Sequence, residues 1–166
     1  GGIIGLLLDT FAGDLLKKPV IIAIALIVMG IILYFVDKKS KSVTDYEHMT
    51  FKQTFLIGLS QCLAFIPGVS RSGITMTTGR AMGVDRTSAA RYSFMLSAPI
   101  VFAATIFKIK DFVFSIPFFV GILASFIVGI IVIKWLLHYL QKGSFKIFAI
   151  YRVIFGLIIL AFVFIR

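Results

Sequence analysis

One stretch of nine residues combines the side chains and the backbone freedom that a phosphate site needs. Within residues 67–75, PGVSRSGIT, Arg71 carries a planar fork of N–H donors that matches phosphate oxygens. Around it are hydroxyl groups and glycines, which permit tight turns and close approach: Ser70, Ser72, Thr75, Gly68 and Gly73. A short helix predicted to begin near Ile74 would aim its free N–H groups at the same place. Each part favours an anion, and phosphate suits the pattern best.

These residues differ in how strongly they indicate a ligand. An arginine between apolar runs is costly in a membrane and is a functional candidate by default, so Arg71 is the strongest of them. For the hydroxyl residues a second interpretation stays open, because serine and threonine also bond back to the backbone of their own helix. Gln61, on the arm before the loop, either faces the same cavity or bonds a neighbouring helix.

The other polar and ionisable residues are expected at the membrane surface rather than in a site. Arg80, Asp85 and Arg86 are predicted to form an ion-paired loop, and Asp85 is also a candidate N-cap. His48 in a polar loop and His138 near a helix end are expected to be interfacial. The sequence has no Cys/His cluster with metal-ligand spacing and no Gly-Lys-Ser/Thr phosphate loop, so the residues themselves predict no metal site.

The elements that position the nine residues must lie in a membrane. Of 166 residues, 60% are hydrophobic and 14% are charged, and the mean hydropathy is +1.06. A water-soluble domain needs far more polar surface. In lipid the outside can be apolar, provided that every backbone polar group is paired, as it is in a helix. The formal charge of +10 comes from cations between or at the ends of apolar runs, a pattern typical of topology signals and headgroup contacts rather than of nucleic-acid binding.

The predicted fold class is all-α, a polytopic transmembrane helical bundle in which residues 1–166 form a single membrane domain. Spans are predicted at residues 19–36, 86–107, 116–140 and 145–165. Residues 1–8 are interpreted as the end of an earlier helix, so we expect a C-terminal fragment of something longer. Residues 51–82 are predicted to form a re-entrant helix–loop–helix hairpin, because two short, partly polar arms flank a Gly/Pro-rich loop.

The distribution of charge predicts the topology. If the hairpin enters and leaves on the same side, most lysines and arginines outside residues 1–18 fall on one side of the membrane. The positive-inside rule then places the polar loop 37–50 in the cytoplasm and the C-terminus outside. If residues 51–82 crossed the membrane fully, this bias would largely vanish.

PGVSRSGIT, with GLSQCLAFI before it and SAARYSFMLSAPIVFAAT after it, closely resembles the undecaprenyl-diphosphate phosphatase family, bacterial membrane enzymes linked to bacitracin resistance. The likeness runs from the span that begins at Pro19 to FAIYRVIFG near the end of the chain. It implies a fold of two inverted repeats, each with a re-entrant hairpin, of which this chain holds one. It also implies hydrolysis of undecaprenyl diphosphate to undecaprenyl phosphate and inorganic phosphate, which recycles the lipid carrier of cell-wall synthesis.

The resemblance also implies roles, partners and a location. Catalytic roles would fall to Arg71, Ser70 and Thr75, and substrate-binding roles to Gly68, Ser72, Gly73 and Gln61. A divalent cation, Mg or Ca, would assist, with no ligands identifiable in this chain. The expected partners are undecaprenyl diphosphate and membrane lipids, with no nucleic acid; a homodimer is left open. The expected location is the bacterial inner (plasma) membrane, in several passes, with the active-site cavity open to the outer side.

The chain departs from the family pattern in one respect. The family's first repeat carries a Glu-rich motif and a Pro-Val-Ser-Ser-Thr-Gly-His loop, which supply acid/base carboxylates and the nucleophilic serine, and no such segment occurs here. The acidic residues Glu47 and Asp85 only flank the hairpin at its outer ends. We therefore expect the substrate-clamping half without the nucleophile half, and little or no activity from this chain alone.

Three alternatives remain. A transporter or flippase for a lipid-linked phosphate would also contain a re-entrant hairpin, and a non-catalytic protein could bind and sequester the lipid diphosphate. A third is the class of membrane phosphatases that pair Ser-Arg with a histidine a few residues on. It is disfavoured because residues 72–79 contain no histidine.

Overall fold

The computed structural model describes residues 18–112 and 114–165, and this part of the chain is all-helical. The α-helices, in chain order, are α1 Pro19–Lys39, α2 Phe51–Ser60, α3 Arg71–Ala81, α4 Arg86–Lys108, α5 Ile116–Lys142 and α6 Lys146–Ile165. The 3₁₀ helices Gln61–Phe65 and Ile109–Asp111 follow α2 and α4. The helix end expected at residues 1–8 lies outside the described residues.

Four of these helices are long and apolar enough to cross a membrane. Helices α1, α4, α5 and α6 contain 21, 23, 27 and 20 residues. At about 1.5 Å of rise per residue, each is about 30 Å or longer, which matches the hydrocarbon core of a bilayer. They confirm the four predicted spans, with ends that shift by three residues or fewer. The chain is a multi-pass membrane protein.

The outer surface of the bundle is as apolar as a lipid environment requires. Within the described structure only Leu140 of α5 is buried. Large side chains of this helix such as Phe126 and Leu123 are 64% and 60% exposed. Water would penalise such a surface, whereas lipid chains solvate it.

Local sequence explains where several helices begin. Pro19 opens α1 at a position where its missing N–H is not needed. Thr50 and Gln53 form a capping box at the start of α2. Asp85 caps α4, since its carboxylate accepts from the Ser88 N–H at 2.9 Å, which confirms the predicted N-cap.

The two arms of residues 51–82 return to the same end of the bundle. The segment before α2 pairs with the segment after α3, with Val43 N–H donating to Gly83 O at 2.8 Å and Asp85 N–H donating to Thr44 O at 2.9 Å. Gln53, in the first turn of α2, donates through Nε2 to Met82 O at 3.1 Å. The start of α2 and the end of α3 therefore lie side by side, as a hairpin requires.

Helices α1 and α6 pack closely because small residues lie at their crossing. A Cβ added at Gly30 would lie 3.0 Å from the carbonyl oxygen of Ala149. A Cβ added at Gly156 would lie 2.6 Å from a side-chain carbon of Ile27 and 2.9 Å from Ala23 O. Small residues of this kind let transmembrane backbones approach and gain dispersion contacts.

A single buried carboxylate joins four elements at the hairpin's open end. Asp37, in the last turn of α1, is 3% exposed. Its Oδ1 accepts from Arg80 Nε at 2.9 Å and from Arg86 Nε at 2.8 Å, and its Oδ2 accepts from the Phe145 N–H at 3.1 Å. The prediction that Asp85 pairs with these arginines was wrong. Asp85 is a helix cap, and the partner of both arginines is Asp37, which is 43 positions from Arg80 and 49 from Arg86.

We predict that Asp37→Asn destabilises the protein by about 3 kcal/mol, because two arginines at least partly buried lose their carboxylate partner. The measurement is the unfolding transition in detergent micelles, followed by circular dichroism. Asp45→Asn is the matched control, since the side chain of Asp45 is 61% exposed and should be tolerated. An unfolding transition of Asp37→Asn that coincides with the wild type would show that the carboxylate does not hold these elements together.

Candidate functional site

The loop 66–70 connects the 3₁₀ helix after α2 to α3, and it ends in a helix cap. Helix α3 begins at Arg71, three residues before the predicted start near Ile74. The physical reason is Ser70, whose Oγ accepts from the Gly73 N–H at 3.3 Å and so acts as the N-cap. Arg71 is therefore the first helical residue and not part of an extended loop.

The backbone of this loop adopts conformations that tertiary packing must enforce. Ser70 has a φ of 66°, and it is the one non-glycine residue with positive φ in the described parts of the chain. Gly68 has a φ of 93°, and a Cβ added there would overlap the carbonyl oxygen of Ile22 on α1. Val69 is buried against Met29 of α1. A strained serine of this kind costs about 1–3 kcal/mol and is typical of functional sites.

Arg71 lines a cavity of about 220 Å³. No hydrogen bond or ion pair engages its guanidinium among residues 18–112 and 114–165. Gln61 lines the same cavity, and its buried Oε1 likewise finds no partner in the described structure. The remaining wall is mostly apolar and comprises Gly58, Cys62, Ala64, Phe65 and Ile100. The unpaired cation lacks a polar partner that an anionic ligand could supply, whereas Gln61 Oε1 is a buried acceptor and is not a group for phosphate oxygens.

The start of α3 adds backbone donors to this arrangement. The N–H groups of Arg71 and Ser72 are the first two of the helix and have no intrahelical acceptor. Neither of these two N–H groups has another acceptor within the described ranges. The following two N–H groups, those of Gly73 and Ile74, donate to Ser70. The positive end of the helix dipole lies at these same groups, so their arrangement favours an anion.

Four of the predicted site residues have surroundings that differ from those of Arg71. Ser70, Ser72 and Gly73 line a second, smaller cavity of about 110 Å³. Thr75 is 1% exposed, and its hydroxyl lies 2.7 Å from the Ser93 hydroxyl. That contact joins α3 to α4, so the hydroxyl of Thr75 is engaged within the protein.

One functional candidate was missed in the sequence. Arg152, in the middle of α6, is 2% exposed. Its Nη2 donates to Gly68 O at 3.0 Å and also to Val69 O, and its Nε is buried without a partner in the described structure. The signal was present, since this arginine interrupts the 145–165 apolar run just as Arg71 interrupts its own, and the rule applied to Arg71 covers it equally.

The histidines lie away from this site. The side chain of His48 is 79% exposed, and its Nδ1 lies 2.6 Å from Asp45 Oδ1. The hydrogen bond to that carboxylate raises the pKa of His48 and lowers the pKa of Asp45. His138 is exposed near the end of α5. In the described residues no group of three or more His, Cys, Asp or Glu side chains could hold a metal ion.

Comparison with known proteins gives one consistent result. The family model described as "Bacitracin resistance protein BacA" matches residues 1–158. An undecaprenyl-diphosphatase of Pelotomaculum thermopropionicum is 45% identical over 163 residues, which cover 96% of this chain and 62% of the relative. Undecaprenyl-diphosphatases of Gemmatimonas aurantiaca and Desulforudis audaxviator are 44% and 40% identical and cover 97% and 100% of the chain. The chain spans 62% to 65% of the length of these relatives.

The single cysteine provides a test of the cavity, because Cys62 lines it together with Arg71. We predict that inorganic pyrophosphate at saturating concentration slows the alkylation of Cys62 by a small maleimide at least several-fold, since the bound anion covers the same cavity. The measurement is the rate of mass increase of the intact protein.

The matched control is Leu63→Cys in a Cys62→Ser background, because Leu63 is adjacent in sequence but 51% exposed and outside the cavity lining. Its alkylation should not respond to pyrophosphate. Equal rates at Cys62 with and without the anion would place the anion elsewhere.

Proposed function

Because the chain belongs to the bacitracin resistance protein BacA family, we propose that it provides the diphosphate-binding part of an undecaprenyl-diphosphatase. The proposed reaction is hydrolysis of undecaprenyl diphosphate to undecaprenyl phosphate and inorganic phosphate. The curated relatives carry this name. The observation that supports it most is the Arg71 guanidinium, which has no partner in the described residues and lies at the start of a helix whose first N–H groups are also free there.

In this proposal Arg71 binds phosphate oxygens, and the N–H groups of Arg71 and Ser72 bind others. Together they neutralise the charge that develops when the terminal phosphorus is attacked. Ser70 holds the helix start through its cap and offers its exposed hydroxyl nearby. Thr75, given its contacts with Ser93 and the backbone, supports the loop through α4. The apolar wall around Phe65 and Ile100 suits the first carbons of a prenyl chain.

The attacking group and its acid/base partners are not assigned to residues of this chain. The loop is far in sequence from any carboxylate, and the cavity that Arg71 lines contains none. A divalent cation, Mg or Ca, stays a prediction of the family resemblance. The polar groups that line the cavity are the Gln61 amide, the Arg71 cation and the Cys62 thiol. Mg and Ca ions need several oxygen ligands, so these residues do not fit such an ion, and we derive no step through one.

The proposed membrane position follows from helix length. Helix α3 has 11 residues and rises about 16 Å, about half the hydrocarbon core. The other arm is longer, because the 3₁₀ helix Gln61–Phe65 follows the 10 residues of α2. With both outer ends at the cation-rich side near Lys38 and Lys39, the loop 66–70 would lie near the middle of the membrane. This is the geometry of a re-entrant hairpin.

For orientation, we propose that the Lys-rich end faces the cytoplasm of a bacterial inner membrane and that the Arg71 cavity opens outward. The end that holds Asp37 carries cations from three helices: Lys38, Lys39, Arg80 and Arg86. Labelling of Cys62 with a membrane-impermeant maleimide, from outside in spheroplasts and from the cytoplasmic face in inverted vesicles, reports the side from which the cavity is reached. Labelling only in inverted vesicles would contradict the proposal.

We predict that Arg71→Ala lowers phosphate release from undecaprenyl diphosphate by about 100-fold or more in the full-length protein, because a charged donor to the reacting group is lost. Arg71→Lys should recover part of the rate, since it restores the charge but not the planar fork. The measurement is steady-state release of inorganic phosphate in detergent.

The matched control is Arg91→Ala, which removes an exposed arginine whose guanidinium lies 4.4 Å from the Tyr46 ring centroid. It should retain wild-type turnover. Near-full turnover of Arg71→Ala would contradict the binding role. Movement of the lipid across vesicles without phosphate release by the wild type would favour a flippase instead.

A further inference from the structure

Two buried arginines in this protein differ in how fully their donors are used. Arg80 is 1% exposed, and its Nε, Nη1 and Nη2 all donate, to the Asp37 carboxylate, to Ser42 and Val84, and to Ser40. Arg152 is buried as deeply, yet no carboxylate pairs with it within the described residues, and its Nε has no partner there.

A charge buried in this way is costly, and a well-packed apolar side chain would commonly serve stability as well or better. Stability therefore does not explain why an arginine is buried at position 152. Its two hydrogen bonds both go to loop carbonyls, those of Gly68 and Val69. We propose that Arg152 is a positioning residue that orients the peptide unit between Val69 and Ser70 for phosphate binding; this rests on the function proposed above.

The geometry of the peptide bond supports this role for Arg152. In a planar trans peptide the C=O and the N–H point in opposite directions. Because Val69 O points to Arg152, the N–H of Ser70 points away from it. That N–H has no acceptor among the described residues, and neither do the next two, of Arg71 and Ser72. Three consecutive N–H donors without partners form the kind of backbone surface that binds anions.

Arg152 also strengthens this donor set electrostatically. A cation bonded to the carbonyl of a peptide polarises that peptide and makes its N–H a better donor, particularly where the dielectric constant is low. Its charge is not cancelled by a nearby carboxylate in the described structure, so it adds to the positive end of the α3 dipole. Arg152 also lines the cavity of Ser70 and Ser72, and in this proposal its guanidinium acts on phosphate through the two loop carbonyls that it binds.

A second, independent observation is that Gly73 makes room for this arginine. A Cβ added at Gly73 would overlap Nη1 of Arg152. Gly73 lies within α3 and lacks the positive φ that would require glycine, so alanine there would ordinarily favour the helix. Gly73→Ala should therefore displace the guanidinium while leaving its charge in the protein.

The test measures the Kd of inorganic pyrophosphate for the detergent-solubilised chain by calorimetry, together with the thermal midpoint of each variant. We expect Arg152→Met to raise the Kd about 10-fold to 100-fold, as loss of charge-assisted hydrogen bonds would. Arg152→Lys should recover part of the loss. Gly73→Ala should weaken binding in the wild-type background and have little further effect in Arg152→Met, because both changes act on one contact.

Arg80→Met is the control for a merely structural arginine: it should lower the thermal midpoint without changing the Kd of the folded protein. An unchanged Kd in Arg152→Met would overturn the inference, as would additive effects of Gly73→Ala and Arg152→Met. If Arg152→Met does not fold, the Kd of pyrophosphate for Gly73→Ala and Arg152→Lys decides instead: a Kd equal to the wild type in both variants would overturn the inference. Failure of the proposed function gives a different result, namely that the wild-type full-length protein releases no phosphate from undecaprenyl diphosphate.

Discussion

Backbone that leaves the helical conformation needs new hydrogen-bond partners for its N–H and C=O groups, and this constraint shapes the loop 66–70. Its two central carbonyls are bound by Arg152, and its end is capped by Ser70. What remains without a partner, in the part of the chain that the structure describes, is a set of N–H donors and the Arg71 guanidinium. The carbonyls of Gly68 and Val69 are therefore satisfied from inside the protein, and we propose that the unpaired donors serve an anionic ligand.

Hydrogen-bond pairing is more complete around Asp37, where the start of α2 and the end of α3 meet. There the two buried charged side chains are fully hydrogen-bonded: Asp37 accepts from two arginines and a backbone N–H, and Arg80 donates its remaining N–H groups to loop oxygens. The hydrogen bond from Gln53 to Met82 O and the backbone bonds next to it then hold the start of α2 beside the end of α3. The Asp37 cluster, whose buried polar groups have partners, is therefore structural. The start of α3, whose donors lack partners in the described residues, is the candidate site.

Much of the fold could be predicted from the sequence, because membrane helices are encoded by local composition. The spans at α1, α4, α5 and α6 follow from apolar runs bounded by Pro19, Asp85 or lysines, and no distant contact is needed to find them. The Arg71 motif was equally visible, since a cation beside serines and glycines is unusual between apolar segments.

The features that could not be predicted depend on contacts between residues far apart in sequence. The pairing of Asp37 with Arg80 and Arg86 links positions more than forty residues apart, and local spacing favoured Asp85 instead. The start of α3 at Arg71 could have been found from the Ser70 cap, but the glycines around it suggested a longer loop. Arg152 stands out in its own apolar run, but its contacts could not be predicted, because its partners Gly68 and Val69 are more than eighty residues away.

The central claim is that the Arg71 guanidinium binds phosphate inside the membrane. It is tested most directly by solid-state NMR of the chain in lipid bilayers, with ¹⁵N-labelled arginine side chains and bound inorganic pyrophosphate. The account predicts ³¹P dephasing of the Arg71 signal, identified by its loss in Arg71→Lys, at a phosphorus–nitrogen distance of about 4 Å. Dephasing of Arg91 or another surface arginine, with none at Arg71, would contradict it.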